Sequence, residues 1–414
     1  MWINIFIYFL IFFVICKLIW YKLLLVLNMK FTANLLDFSK LLQKVVPAIP
    51  PKSTLPVLEH LKFELKDNIL TVVATDQDIS IMSSIEVQDG VSGGILVPAR
   101  MLNDIVKALD ASSTFTFSSN EDNFDIHIVT TNGNYTIKGL NPEEYIQLPE
   151  LFESEKPDIS NNKFSVSFSE GILQRLANKT AFAVSTDEYR PSMNGALFQF
   201  RNNYIYAVAT DSFRLVRAKS EDEKYVFEEE FDVLIPLRML EFLRKISTEV
   251  KMSMILGLDK ITHVRIDYDN TVIVSRVIDE KFPPYESVIP QNINAVVTLD
   301  SKVFLSTLKR VSLFASNFSK LVRMRFENNE VTMSAEEETS GNYAEEKIPC
   351  QYTGEKIEVG FNWKNLEEVV ANVDNNETDN NLIELQFLEP VKPVLVMPKR
   401  ENPMLLSLIM PIRI

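Results

Sequence analysis

Two stretches of this chain are near copies of one another, "ILTVVATDQDISI" at 69–81 and "YIYAVATDSFRLV" at 204–216, with their Ala-Thr-Asp triplets 135 residues apart. Self-similarity at a fixed period makes a chain an array of like units, which restricts the fold more than any composition does. Both copies alternate apolar and polar residues, as a strand with one buried face does, and both run into a turn carrying Asp. A weaker third copy is "EVTMSAEEETSGN" at 330–342, where Ala335 follows Ala209 by 126 residues.

Other elements repeat in step. "LVPARMLNDIVKAL" (96–109), "LIPLRMLEFLRKI" (234–246) and "GFNWKNLEEVVANV" (360–373) each read as a strand end followed by an amphipathic helix. Upstream of each strand copy lies another helical pattern, at 35–46, 170–184 and 301–317. Two copies close on a Tyr shortly before a Pro, "EEYIQLP" (143–149) and "PPYESVIP" (283–290). Each unit therefore reads strand, helix, several strands, helix, several strands. The predicted class is α+β with antiparallel sheets. The expected boundaries are 29–155, 156–290 and 291–414, joined at the polar stretches 153–163 and 290–295. The total of 414 residues suits three domains of about 100–150 each.

The formal charge of −14 argues against a polyanionic partner only if it is spread evenly. It is not. The six helical segments hold 13 basic and 6 acidic residues, a balance of +7, so the rest of the chain carries −21. Within helices, Lys40/Lys44 and Arg175/Lys179 stand four apart, and Arg100/Lys107, Arg238/Lys245 and Lys302/Lys309 stand seven apart. Both spacings put like charges on one helical face, which weakens an isolated helix. Solvated helix faces are the plainer reading of any one pair; the recurrence in five helices favours a shared basic surface that contacts phosphates rather than bases.

Cys16 and Cys350 are far apart, and His60, His127 and His263 are scattered, so neither a disulfide framework nor a metal site is expected, and no cofactor. "ATDQD" and "ATDSFR" offer carboxylates for catalysis, but no base, His partner or Gly-rich phosphate loop accompanies them, and a turn-forming Asp is the simpler reading. Residues 1–28 are apolar apart from Asn4, Lys17, Lys22 and Asn28, long enough to span a bilayer and without a small-residue cleavage site. One reading is a membrane-anchored binding protein. The other, which we favour, places the start of the fold at Met29, with 1–28 a hydrophobic extension of the kind A·T-rich upstream DNA encodes.

"MKFT" (29–32), "TLPVL" (54–58), the two "ATD" triplets, "VPAR" (97–100), "NGALF" (194–198), "FPPY" (282–285), "GFN" (360–362) and the final "MPIRI" (410–414) together resemble the bacterial sliding clamp family, the beta subunit of DNA polymerase III, over essentially all of 29–414. The resemblance implies a DNA clamp fold: three similar domains per chain, a head-to-tail homodimeric ring, helices lining the hole and antiparallel sheets outside. It implies a cytoplasmic, non-catalytic processivity factor that encircles double-stranded DNA without reading sequence. Its implied partners are the replicative polymerase alpha subunit, the clamp loader, repair polymerases and other proteins with clamp-binding motifs. By the same resemblance, Lys52, Arg100, Arg190 and Arg238 contact DNA, joining the helix residues Lys40, Lys44, Arg175, Lys179, Lys245, Lys302 and Lys309. A partner-peptide pocket maps to Met193, Thr210, Ser212, Phe213, Arg214, Leu215, Pro283 and Val288 with the tail Leu408, Ile409, Met410, Pro411, Ile412, Arg413 and Ile414. The ring interface maps to Tyr135 and Ile137 on one edge and Leu313 and Phe314 on the other. Two departures stand out: Pro191-Ser192 where some members carry a Tyr pair, and Phe213 where some carry His.

Overall fold

The structure is a computed structural model that describes residues 29–147, 164–257, 260–337, 339–373, 381–400 and 403–414. The extension 1–28 and the expected boundary at 155/156 lie outside the described residues. The chain divides into two compact units, one built from the chain up to 160 with 265–275, the other from 161–264 with 276–414. Among the described residues, no helix is long and apolar enough to cross a membrane.

In the first unit, helix α1 (Leu35–Val45) starts where Asn34 accepts the Leu36 N–H, filling one of the donors a helix start leaves open. Helix α2 (Ala99–Ala108) follows Pro98, whose extended backbone ends the strand Gly93–Pro98. Strands alternate in and out, and the buried positions converge on a phenylalanine cluster. Phe31 stacks on Phe117 at 4.9 Å, and Phe38 meets Phe115 edge-on at 4.9 Å. Each such ring removed from water is worth about 1.5–3 kcal/mol. Residues 271–275, from the middle of the chain, pair antiparallel with strand Ile79–Glu86, Val274 opposite Ser80.

The Ala-Thr-Asp repeat proves to be a turn-building device. Asp76 Oδ1 accepts the N–H groups of Asp78 (3.0 Å) and Ile79 (2.8 Å), while the Thr75 hydroxyl donates to the Ile79 carbonyl and accepts from Gln77 N. Asp211 Oδ1 likewise accepts from Phe213 and Arg214, both at 2.9 Å, and Thr210 donates to the Arg214 carbonyl and accepts from Ser212 N. The third residue of each turn is left-handed, Gln77 at φ 84° and Ser212 at φ 77°. One oxygen of each carboxylate is therefore occupied by backbone, the turn-forming role read from the sequence.

The second unit holds an eight-stranded antiparallel sheet in the order 231–236, 195–201, 204–210, 214–221, 405–409, 394–398, 382–387, 295–300. Its seam pairs the central repeat with the chain's last strand: Arg214 opposite Ile409, Leu215 opposite Leu408, Val216 opposite Ser407. A four-stranded sheet (342–349, 330–337, 321–327, 357–362) completes the third repeat. Helices α3 (Ile172–Ala181) and α4 (Leu237–Leu243) pack together, as do α5 (Ser301–Val311) and α6 (Trp363–Ala371). Gly171 enters α3 at φ 72°, a conformation that suits glycine. Because strand neighbours face opposite sides, Ile409 and Val396 enter the large core with α5 and α6. Leu408, Leu395 and Leu215 form a smaller core on the other face, with Leu197, Val208, Leu234, Phe282 and Tyr285.

Candidate partner groove and basic helix faces

Two residues of the expected pocket, Leu215 and Leu408, are buried in the smaller core; Val288 and Met410 are exposed, and Pro283 is half-buried. That core is pinned by Tyr285, whose hydroxyl donates to Gln199 Oε1 at 2.7 Å. Burial, with Glu286 nearby, raises the Tyr285 phenol well above its ordinary value, so it stays a neutral donor. The Asp211 turn supplies the rim. Thr210 is buried in its bonds, Ser212 and Phe213 project, and Phe213 is 63% exposed. The Phe213 carbonyl accepts the Met410 N–H at 2.8 Å, joining turn to tail. Pro283 also lines a cleft of about 550 Å³ with Leu197, Leu234, Ile278, Phe282 and Tyr285; no tail residue lines it.

Several expected residues fall elsewhere. Ile409 points away from the groove into the third-repeat core. Ile412 donates its N–H to the Gly360 carbonyl at 2.8 Å, and Ile414 lies against Gly360, where an added Cβ would sit 2.5 Å from it. The tail beyond Met410 thus runs along strand 357–362, and Pro411 and Arg413 go with it. Arg214 does not face the groove. Its side chain is 11% exposed and turns inward to Asp211 and to Glu368 of α6. Arg190, expected on DNA, has a side chain 53% exposed and touches the Asp211 turn. Its Nη1 donates to Ser212 Oγ at 3.0 Å, Ser212 Oγ lies 3.5 Å from Met193 Sδ, and Asp187 flanks the guanidinium at 3.4 Å.

The basic helix residues divide into exposed and engaged. Lys40, Lys52, Arg100, Lys245, Lys302 and Lys309 are exposed, with Arg100 hydrogen-bonded to the Pro51 carbonyl. Lys44 is committed to Asp269 at 3.4 Å and Thr271 at 3.3 Å, and lies over the Tyr268 ring. Lys179 donates to the Asn372 carbonyl at 2.8 Å, at the end of α6, where the helix dipole favours a cation. Arg175 is half-buried and bonds the Lys219 carbonyl, and Arg238 is half-buried. Arg310 forms a two-pronged bond to Glu346, which holds that carboxyl below its usual value.

The two expected interface patches lie on sheet or helix margins. Strand Asn134–Lys138 is the last of its five-stranded sheet, with Tyr135 exposed and Ile137 half-buried. Leu313 is 80% exposed, and Phe314 39%, in the short helical turn after α5. Sequence reading passed over Phe318, which is 99% exposed in the next loop; a Phe amid Ser, Asn and Lys was the available signal. Among the described residues, no group of three or more His, Cys, Asp or Glu could hold a metal ion.

Comparison with known proteins places these features in a family. Residues 29–149 match the model of the DNA polymerase III beta subunit N-terminal domain, 168–284 that of its central domain and 286–413 that of its C-terminal domain. The beta sliding clamp of Staphylococcus epidermidis is 27% identical over 396 residues, covering 93% of this chain and 99% of that protein. The beta sliding clamp of Staphylococcus aureus is 26% identical over 394 residues, with the same coverage. Among solved structures, a DnaN sliding clamp from Pseudomonas aeruginosa bound to griselimycin superposes at a TM-score of 0.83 and 23% identity, over 94% of this chain and all of that one. The Bacillus subtilis DNA polymerase sliding clamp gives 0.82 at 24% identity with the same coverage.

Proposed function

The chain belongs to the DNA polymerase III beta subunit family, and from that premise we propose that it works as a sliding clamp: a homodimeric ring that encircles duplex DNA and tethers the replicative polymerase, the clamp loader and repair polymerases. It is a non-catalytic processivity factor of DNA replication. The observation that carries this reading is the tiling of residues 29–413 by N-terminal, central and C-terminal domain models in order, on a chain whose internal repeat has the same three-fold period. The same tiling supports domains at 29–155, 156–290 and 291–414, although the C-terminal model begins at 286. On this reading the protein acts in the cytoplasm.

Within this reading the groove floored by Leu215 and Leu408 takes Leu and Phe anchors of partner peptides, and Arg190 belongs to its rim with Met193, Ser212, Phe213, Pro283, Val288 and Met410. Lys40, Lys52, Arg100, Lys245, Lys302 and Lys309 face phosphates. Arg238 belongs to the same face, as the resemblance implies; Arg175, Lys179 and Lys44, also expected on DNA, are held by contacts within the chain and lend it their charge. Binding to DNA is topological, with weak electrostatics and no base readout. The test is loading onto a nicked circle by a clamp loader, starting from Met29. The ring is expected to survive moderate salt on the circle and to leave once the DNA is cut. Retention on an unblocked linear end, or strong sequence preference, would refute the proposal.

A further inference from the structure

We propose that Glu368, on α6 and outside the groove, is a positioning residue for partner binding, acting through Arg214 on the turn that frames the rim. This rests on the reading of the groove as a peptide site. The Arg214 Nε bonds Asp211 Oδ2 at 3.0 Å, a terminal nitrogen bonds Glu368, and the guanidinium lies 5.4 Å from the centre of the Phe182 ring. Arg214 and Asp211 are 11% and 17% exposed. A cation so enclosed needs its full set of partners, because a charge left short of them in low dielectric is costly.

The first repeat shows that the turn does not need this lock in order to fold. Thr75, Asp76 and Gln77 make the same bonds, and the position of Arg214 is held by Ile79, buried at 1% exposure. The Arg214 pairing is therefore an addition to the repeat, and it connects α6 to whatever the turn holds. Asp211 Oδ1 carries the N–H of Phe213, the Phe213 carbonyl carries Met410, and Ser212 carries Arg190. Ser212 is a non-glycine residue held left-handed, a conformation that persists only where its surroundings fix it. Removing the Glu368 carboxylate leaves Arg214 with one acid where it had two, and frees it to pull on Asp211 or leave it. The rim then samples orientations that do not fit a peptide.

The test is fluorescence anisotropy with a labelled peptide bearing adjacent Leu and Phe anchors, on the dimeric protein. Glu368→Ala is expected to weaken binding about tenfold, the worth of one charge-assisted hydrogen bond. Glu368→Gln, which keeps an acceptor at the same reach, should lose about twofold to threefold, and Glu367→Ala nothing. The melting temperature of Glu368→Ala should fall by a few degrees, as the loss of one charge-assisted bond requires, and Glu368→Gln should recover most of it. In a Phe213→Ala background the Glu368→Ala effect should largely vanish, since the lever ends at that rim; additive losses would mean a general structural role and overturn the proposal. Unchanged binding by Glu368→Ala would overturn it too. If the parent protein fails to bind the peptide at all, it is the groove reading that falls.

Discussion

Replacing Leu313 and Phe314 together by Lys tests the ring directly. In the protomer Leu313 is 80% exposed and Phe314 39%, so the change should cost the fold about 1–2 kcal/mol, chiefly from the covered part of Phe314. In the ring they are expected to be covered by the partner's edge. Fully burying a Leu or Phe is worth about 1.5–3 kcal/mol. Scaled by what remains exposed, the pair contributes about 2–3.5 kcal/mol per interface. A head-to-tail dimer has two such interfaces, so the loss is about 4–7 kcal/mol, or about three to five decades in dissociation constant. Desolvating two unpaired lysines adds several kcal/mol at each interface. Sedimentation velocity at micromolar protein should therefore show monomers, with an unchanged circular dichroism spectrum. A dimer that persists would mean that these residues lie outside the contact, however exposed they are.

Met410→Ala should weaken peptide binding severalfold in anisotropy while leaving the dimer intact, whereas removal of Pro411–Ile414 should act mainly through the third repeat, as a lower melting temperature. Gly360→Ala should mimic that truncation, because the added methyl displaces Ile414 and Leu321, 2.5 and 2.7 Å from its position; a stability equal to the parent's would refute the account of the tail. Burial pushes the Cys350 thiol up to about 11. In protein starting at Met29, iodoacetamide at pH 8 should label it only after unfolding. The neutral thiol's contribution to stability is complete below the ordinary thiol range near 8.5–9 and is lost as pH rises through 11.

The repeat was legible because it is local chemistry: Thr and Asp side chains build the turn within four residues of themselves. The helices were legible for the same reason, in apolar spacing; the caps at Asn34 and Asp300 came only with the structure. What spacing could not say is what stands opposite a helix face. Lys44 meets Asp269, 225 residues away, and Lys179 meets Asn372, 193 away. The contacts of Arg190 with Ser212 and of Arg214 with Glu368 had no signal in spacing either, because a guanidinium reaches several ångströms from its backbone. The tail was read as one wall, yet strand alternation sends Ile409 to the opposite face and the Gly360 bridge draws Ile412 aside. Glu368 carried no signal, since an exposed-looking Glu on an amphipathic helix is ordinary.

The last strand of the chain, 405–409, completes the sheet of the repeat before its own. Melting is consequently not a private affair of each repeat. Were the third repeat to unfold alone, strand 214–221 would be stripped of its neighbour, exposing a row of unpaired amides beside Leu215, an edge prone to pairing with stray chains. The central and third repeats should accordingly lose their slowest-exchanging amides in a single kinetic phase. Proteolytic fragments ending near 290 should precipitate rather than persist as stable cores.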